Sequence, residues 1–309
     1  MISLLFKRAS ILSYLIAFVL LGLTVYAEGI LLNSNQQFVG EQIISFLFLS
    51  LLMLAIDWTI KRQYWAAQSN YHLYVFVLLS FVLPKSGWDN WRLIYFFLFW
   101  LAMTNIFSSI QSISKEKYLF NAGFFMGLAA MFYPEGIVFY PFIWVLLFLQ
   151  EQFNAKAIVL TALPLFSLYL LEVILHFFLD GMTLFSFPDF SKLTLSFEFK
   201  QTILANLWWP FVLIIFIISS ILHFIDTRSK SSSYVFGINS LFALGLMGLL
   251  IGFVTRNTSS YAWILFIMTT STVSTRMLEM IKSTWIREGL LIALLAGVCL
   301  SKLEAYNIF

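Results

Sequence analysis

Apolar residues in this chain gather into about eleven long blocks, each closed by polar or charged residues, with neither the alternation of a strand nor the one-sided stripe of a soluble surface helix. The blocks read as Ile11–Tyr26, Ile43–Ile60, Tyr71–Leu83, Leu93–Ile113, Leu119–Tyr133, Ile137–Leu149, Ala157–Phe178, Ile203–Phe224, Tyr234–Val254, Tyr261–Thr275 and Glu288–Leu303. A helix needs roughly twenty apolar residues to cross a bilayer. The pattern therefore predicts an all-α, polytopic transmembrane bundle of about eleven spans, with residues 1–309 forming a single integral membrane domain. Two regions depart from it. The stretch 119–149 reads as a short helix pair broken at Tyr133-Pro134-Glu135-Gly136, whose freed backbone groups need partners in a protein-lined cavity. Leu179–Lys200 is the longest loop, and its phenylalanines suit an interfacial or re-entrant element.

Charge sets the orientation. Lys7, Arg8, Lys61, Arg62, Lys115, Lys117, Lys156, Arg228, Lys230, Arg276, Lys282 and Arg287 fall on one face, two-thirds of the 18 basic residues. The positive-inside rule then puts the N-terminus in the cytoplasm and the C-terminus outside. Ile11–Tyr26, behind Lys7 and Arg8, lacks a small-x-small cleavage pattern and is expected to stay as the first anchor. Composition agrees: 61% of residues are hydrophobic and 11% charged, against about 25% charged in a soluble domain. A net charge of +3, dispersed over the loops, gives no footprint for nucleic acid. The one cysteine, Cys299, excludes an internal disulfide and is expected to be a small buried residue.

Ionisable groups inside spans are costly and mark sites. Glu172 and His176 interrupt Ala157–Phe178 four residues apart, on one helical face, where they would serve as catalytic acid and base, as a proton relay or as snorkelling groups. The acids Glu28, Glu41, Glu135 and Asp180 all belong to the expected outer face; a converging pair would act as general base and metal or leaving-group binder on a lipid-linked substrate. Arg92 and Lys200 are the expected contacts for its phosphate. Asp57, with Lys61 one turn later, reads as an interfacial ion pair, and Asn105 as a further buried polar group. His72 and His223 lie on separate spans without a carboxylate or cysteine at metal-ligand spacing, so no metal or cofactor is expected. Gly123 and Gly127, one turn apart with Ala130 beside them, form the small-x-x-x-small pattern of a close helix contact; Gly237, Gly245, Gly248 and Gly252 form a second set.

Three stretches carry a resemblance. Phe6-Lys7-Arg8-Ala9-Ser10, the run from Asn121 through Gly123, Gly127 and Tyr133 to Pro134, and Gln152-Phe153-Asn154-Ala155-Lys156 followed by a span with Pro164 resemble an uncharacterised inner-membrane family of Bacteroidota. Some members of that family carry a carotene monooxygenase label, whose iron-ligating histidines have no counterpart in the three scattered histidines here. The Gly123–Pro134 stretch is also similar to a span of multi-spanning, polyprenyl-phosphate-dependent glycosyltransferases. Those enzymes place a catalytic acid in a long first outer loop, whereas here Ala27–Gln42 is short and offers Glu28 and Glu41. The likeness implies cell-envelope glycan or lipid assembly, with membrane lipids, a polyprenyl-phosphate-linked substrate or other envelope proteins as partners. A non-catalytic scaffold subunit and a proton-coupled transporter are the competing expectations.

Overall fold

The computed structural model describes residues 2–32, 38–65, 69–82, 90–178, 208–226, 232–254 and 259–305, and among them it contains helices and no strand. The helices are α1 (Ile2–Phe6), α2 (Ile11–Leu32), α3 (Phe38–Arg62), α4 (Tyr71–Val82), α5 (Asn90–Gln111), α6 (Lys115–Phe132), α7 (Tyr140–Leu149), α8 (Ala155–Phe178), α9 (Trp208–Asp226), α10 (Ser232–Val254), α11 (Ser259–Met280) and α12 (Thr284–Ala305), with a 3-10 segment, Pro134–Phe139, ahead of α7. Each apolar block falls on one of them to within a few residues, the sixth beginning in the 3-10 segment and the eighth described from Trp208 onward. The short α1 is an addition to the expected plan. Among the described residues three helices, Gly40–Arg62, Asn90–Ile110 and Ala155–Phe178, are long and apolar enough to cross a membrane; five shorter apolar helices accompany them.

The chain divides into two compact units. The first joins Met1–Trp88 to Thr194–Phe309, and the second is the intervening Asp89–Leu193.

In the first unit α4 is the innermost helix. Its residues from Tyr71 to Ser80 are all buried, packed against α2, α11 and α12. The seven residues Thr269–Thr275 of α11 include six hydroxyl side chains, all buried. Most of these hydroxyls return to carbonyls of their own helix, as Thr269 does to Leu265 and Thr275 to Ser271, so they enter an apolar interior already satisfied. Gly237 on α10 makes room for Trp65, since a Cβ there would meet the indole Cζ2 at 2.8 Å. Trp65 reaches it because Tyr64 takes a left-handed φ of 56°, and the Trp65 N–H closes α3 on the Ile60 carbonyl at 3.1 Å. Cys299 corrects its expectation: it is exposed, on the same outward side of α12 as Leu295 and Leu300.

In the second unit α6 lies between α5 and α8. The glycine seam does what its spacing implies. A Cβ on Gly123 would stand 2.0 Å from the Thr161 carbonyl oxygen, and one on Gly127 would stand 3.2 Å from the Leu165 Cα, so α6 and α8 touch backbone to backbone. Of the most apolar stretch of α8 only 17% is buried, against 67% for α5, so α8 is a peripheral helix and α5 an inner one. The break after α6 is also satisfied internally. The Gly136 N–H donates to the Tyr133 carbonyl at 2.9 Å, and the buried Tyr95 hydroxyl donates to the Gly136 carbonyl at 2.9 Å. Phe96, Phe99, Tyr133 and Phe139 surround the Tyr95 ring and its neighbours.

Candidate functional site

Among the described residues, a set of buried ionisable contacts lies where α2, α3 and α4 meet in the first unit. Asp57, near the end of α3, is 7% exposed, and His72, at the start of α4, is fully buried. The Asp57 Oδ1 stands 2.8 Å from the His72 Nε2 and 2.8 Å from the Lys61 Nζ. The Tyr14 hydroxyl on α2 donates to the Asp57 Oδ2 at 2.8 Å, and Lys61 also hydrogen-bonds the Tyr14 oxygen. The carboxylate thus has three side-chain partners from three helices. Lys61, one turn beyond Asp57, keeps its side chain 41% exposed and lies over the Tyr14 ring. Its apolar stem runs along the site while the ammonium reaches toward solvent.

A second layer fixes the start of α4. The Asn70 N–H donates to the Phe6 carbonyl at 2.8 Å, and its side-chain amide donates to the Ser13 hydroxyl at 2.7 Å. The Tyr71 hydroxyl donates to the Ser3 carbonyl at 3.1 Å and receives a bond from Arg287 at 3.1 Å. Arg287 further donates to the Ile281 carbonyl, and Glu288 accepts from the Ser3 N–H and hydroxyl at 3.0 and 2.7 Å. Ser69 donates to Glu279 at 2.6 Å, and Arg276 pairs with Glu279 at 3.3 Å. Helix α1 is held by these bonds, which gives the short added helix its physical reason.

The second unit holds a different feature, an open groove of about 630 Å³ between α7 and α8, within the roughly 300–1,000 Å³ of small-molecule sites. Ile137, Tyr140, Trp144, Leu165, Phe166 and Tyr169 line it. The Trp144 indole N–H donates to the Thr161 hydroxyl at 3.2 Å, which fixes one wall. Arg92, half-buried at the start of α5, places its guanidinium carbon 5.3 Å from the Tyr133 ring centre, at the head of the 3-10 segment that contributes Ile137 to the groove.

The expected site residues fare unevenly. Glu172 is buried, 3% exposed, while His176 is exposed, so α8 does not present them as a buried pair. Glu41 is exposed in the first turn of α3. Glu28 falls on α2 and Glu135 on the 3-10 segment, but their side chains lie outside the described residues, as do Asp180, Lys200 and the whole Leu179–Lys200 loop. Asn105 donates to the Leu101 carbonyl of its own helix at 2.8 Å. The reading of His72 as having no carboxylate at ligand spacing is corrected in space: Asp57, fifteen residues earlier, meets it directly. Among the described residues no group of three His, Cys, Asp or Glu side chains converges as a metal site would require.

A family model described as "Family of unknown function (DUF6427)" matches residues 1–307, and the chain belongs to that family. No curated protein and no solved structure matches it.

Proposed function

We propose that this chain is a multi-pass protein of a bacterial inner membrane, crossing about eleven times with its N-terminus in the cytoplasm, and that its second unit binds a lipid carrying a phosphate for envelope lipid or glycan assembly. Coincidence of the eleven apolar blocks with helices, and the concentration of basic residues on alternate loops, support the membrane plan. The observation that carries the lipid reading is the groove between α7 and α8. Its walls are apolar and aromatic, it opens outward beside a peripheral helix, and Arg92 stands at the head of the segment that borders it. Such a groove suits a hydrocarbon chain, and a half-buried guanidinium suits the phosphate at its end. Arg92 rests on Tyr133, so its charge is oriented before any ligand arrives.

The test is purification of the intact protein in mild detergent, followed by mass spectrometry of retained lipids. The wild type should keep a phosphate-bearing lipid enriched over the membrane extract. Ala162→Trp, which fills the groove, and Arg92→Gln should each reduce retention about tenfold, equivalent to roughly 1.4 kcal/mol. A retained lipid profile that matches the bulk extract and ignores Ala162→Trp would overturn the reading.

A further inference from the structure

The first unit carries a buried acid–base pair for which lipid binding in the second unit has no use. His72 turns its Nε2 to Asp57, while its Nδ1 is buried with no hydrogen-bond partner. His223, in the same unit, is the instructive contrast: its Nε2 faces the Val273 carbonyl at 3.0 Å, a partner that cannot change charge. His72 instead faces a carboxylate whose charge must be balanced. The groups that surround it are Tyr14 from α2, Asp57 and Lys61 from α3, and Glu279 from α11. Glu279 is turned to Ser69 and Arg276, and on α12 Arg287 and Glu288 are turned to Tyr71 and Ser3. Asp57 is therefore the anion left for His72 and Lys61 to share.

One buried carboxylate needs one counter-charge, and a second cation in the same place costs desolvation with nothing to offset it. Two arrangements meet that condition. In one, Lys61 stays against Asp57 and the neutral imidazole donates from Nε2, leaving the Nδ1 lone pair empty-handed. In the other, Nδ1 has taken a proton, the imidazolium balances Asp57, and Lys61 swings its already half-exposed ammonium into water.

We propose that Asp57 and His72 form a proton-binding site in which the His72 imidazolium and the Lys61 ammonium alternate as the counter-charge of Asp57. Loading forms one N–H bond with a proton taken from water, and Lys61 remains an ammonium throughout. Tyr14, bonded to both Asp57 and Lys61, loses one of its two partners when Lys61 leaves, so protonation alters the contact of α2 with α3. The site thereby couples proton uptake to helix packing in the first unit.

The experiment is nitrogen-15 NMR of histidine-labelled intact protein in detergent, where His72, His176 and His223 give three ring signals and His72→Gln identifies the one that matters. In the wild type the His72 signal should move from neutral to charged as the pH is lowered from neutral. Asp57→Asn should abolish that change. Lys61→Gln should raise the charged fraction near neutral pH at least about threefold, because the competing counter-charge is gone. A His72 signal that keeps one charge state as the pH is lowered, or that titrates alike in wild type and Lys61→Gln, would overturn the proposal. Should Asp57→Asn fail to fold, the Lys61→Gln comparison alone decides, since Lys61 is half-exposed.

Discussion

Helices α2, α3 and α4 of the first unit meet through side chains: Tyr14 and His72 reach across to Asp57 from two other helices, with Lys61 beside it on α3. Helices α6 and α8 of the second unit meet through backbone, with Gly123 against Thr161 and Gly127 against Leu165. On the membrane plan proposed above, the two contacts answer the same problem, that lipid tails give helices no hydrophobic reason to associate. One uses a few directed polar bonds, which carry charge and can be rearranged. The other uses surface fit, which carries no chemistry and has one geometry. A site that changes state belongs in the first kind of contact, and a rigid wall for a ligand belongs beside the second.

The sharpest break of this comparison is Gly123→Val. Its first added carbon already collides with a carbonyl on α8, so α6 and α8 must separate, and the loss should be about 3 kcal/mol or more by thermal unfolding in detergent. A loss under about 1 kcal/mol would show that the seam can slide and that its fit is not specific. Next comes Asp57→Ala. It leaves a buried imidazole without its partner and frees Lys61, and should cost about 2–3 kcal/mol in the same measurement, recovered in part by the additional change His72→Phe. Absence of any such recovery would mean that the two residues act separately. The smallest effect is expected from Tyr95→Phe, which removes one hydroxyl from the Gly136 carbonyl while keeping the ring among its aromatic neighbours; roughly 0.6 kcal/mol is typical of such bonds in membranes. A cost above about 2 kcal/mol would make the 3-10 segment, rather than the glycine seam, the chief determinant of the second unit.

What the sequence disclosed was local. Gly123 and Gly127 lie one turn apart, and Asp57 and Lys61 lie one turn apart, so the helical period alone brings each pair to one side. Glu172 and His176 share that period, yet Glu172 is buried and His176 exposed. On a helix as peripheral as α8, with 17% of its most apolar stretch buried, sharing a face does not by itself bury both residues. The Asp57–His72 pair was hidden for a different reason: it spans a helix end, a left-handed residue at Tyr64 and the beginning of another helix, and Tyr14 arrives from a third. Spacing carries no signal for such a meeting. The hydroxyl run of α11 is plain in the sequence as Thr269-Thr270-Ser271-Thr272-Val273-Ser274-Thr275, but Thr269, Ser271, Thr272, Ser274 and Thr275 return their hydroxyls to their own backbone, so the run marks no site by itself.

The division of the first unit into two chain segments sets an order of events during synthesis. Helix α4 is made early, yet α11 and α12, which cover it, follow roughly 180 residues later, a delay of about ten to thirty-five seconds at typical ribosome speeds. On the membrane plan proposed above, α4 resides in the lipid through that interval without those companions. Beyond His72 its side chains are apolar but for Tyr74 and Ser80, and Ser80 returns its hydroxyl to the Phe76 carbonyl, which suits the nascent helix to wait.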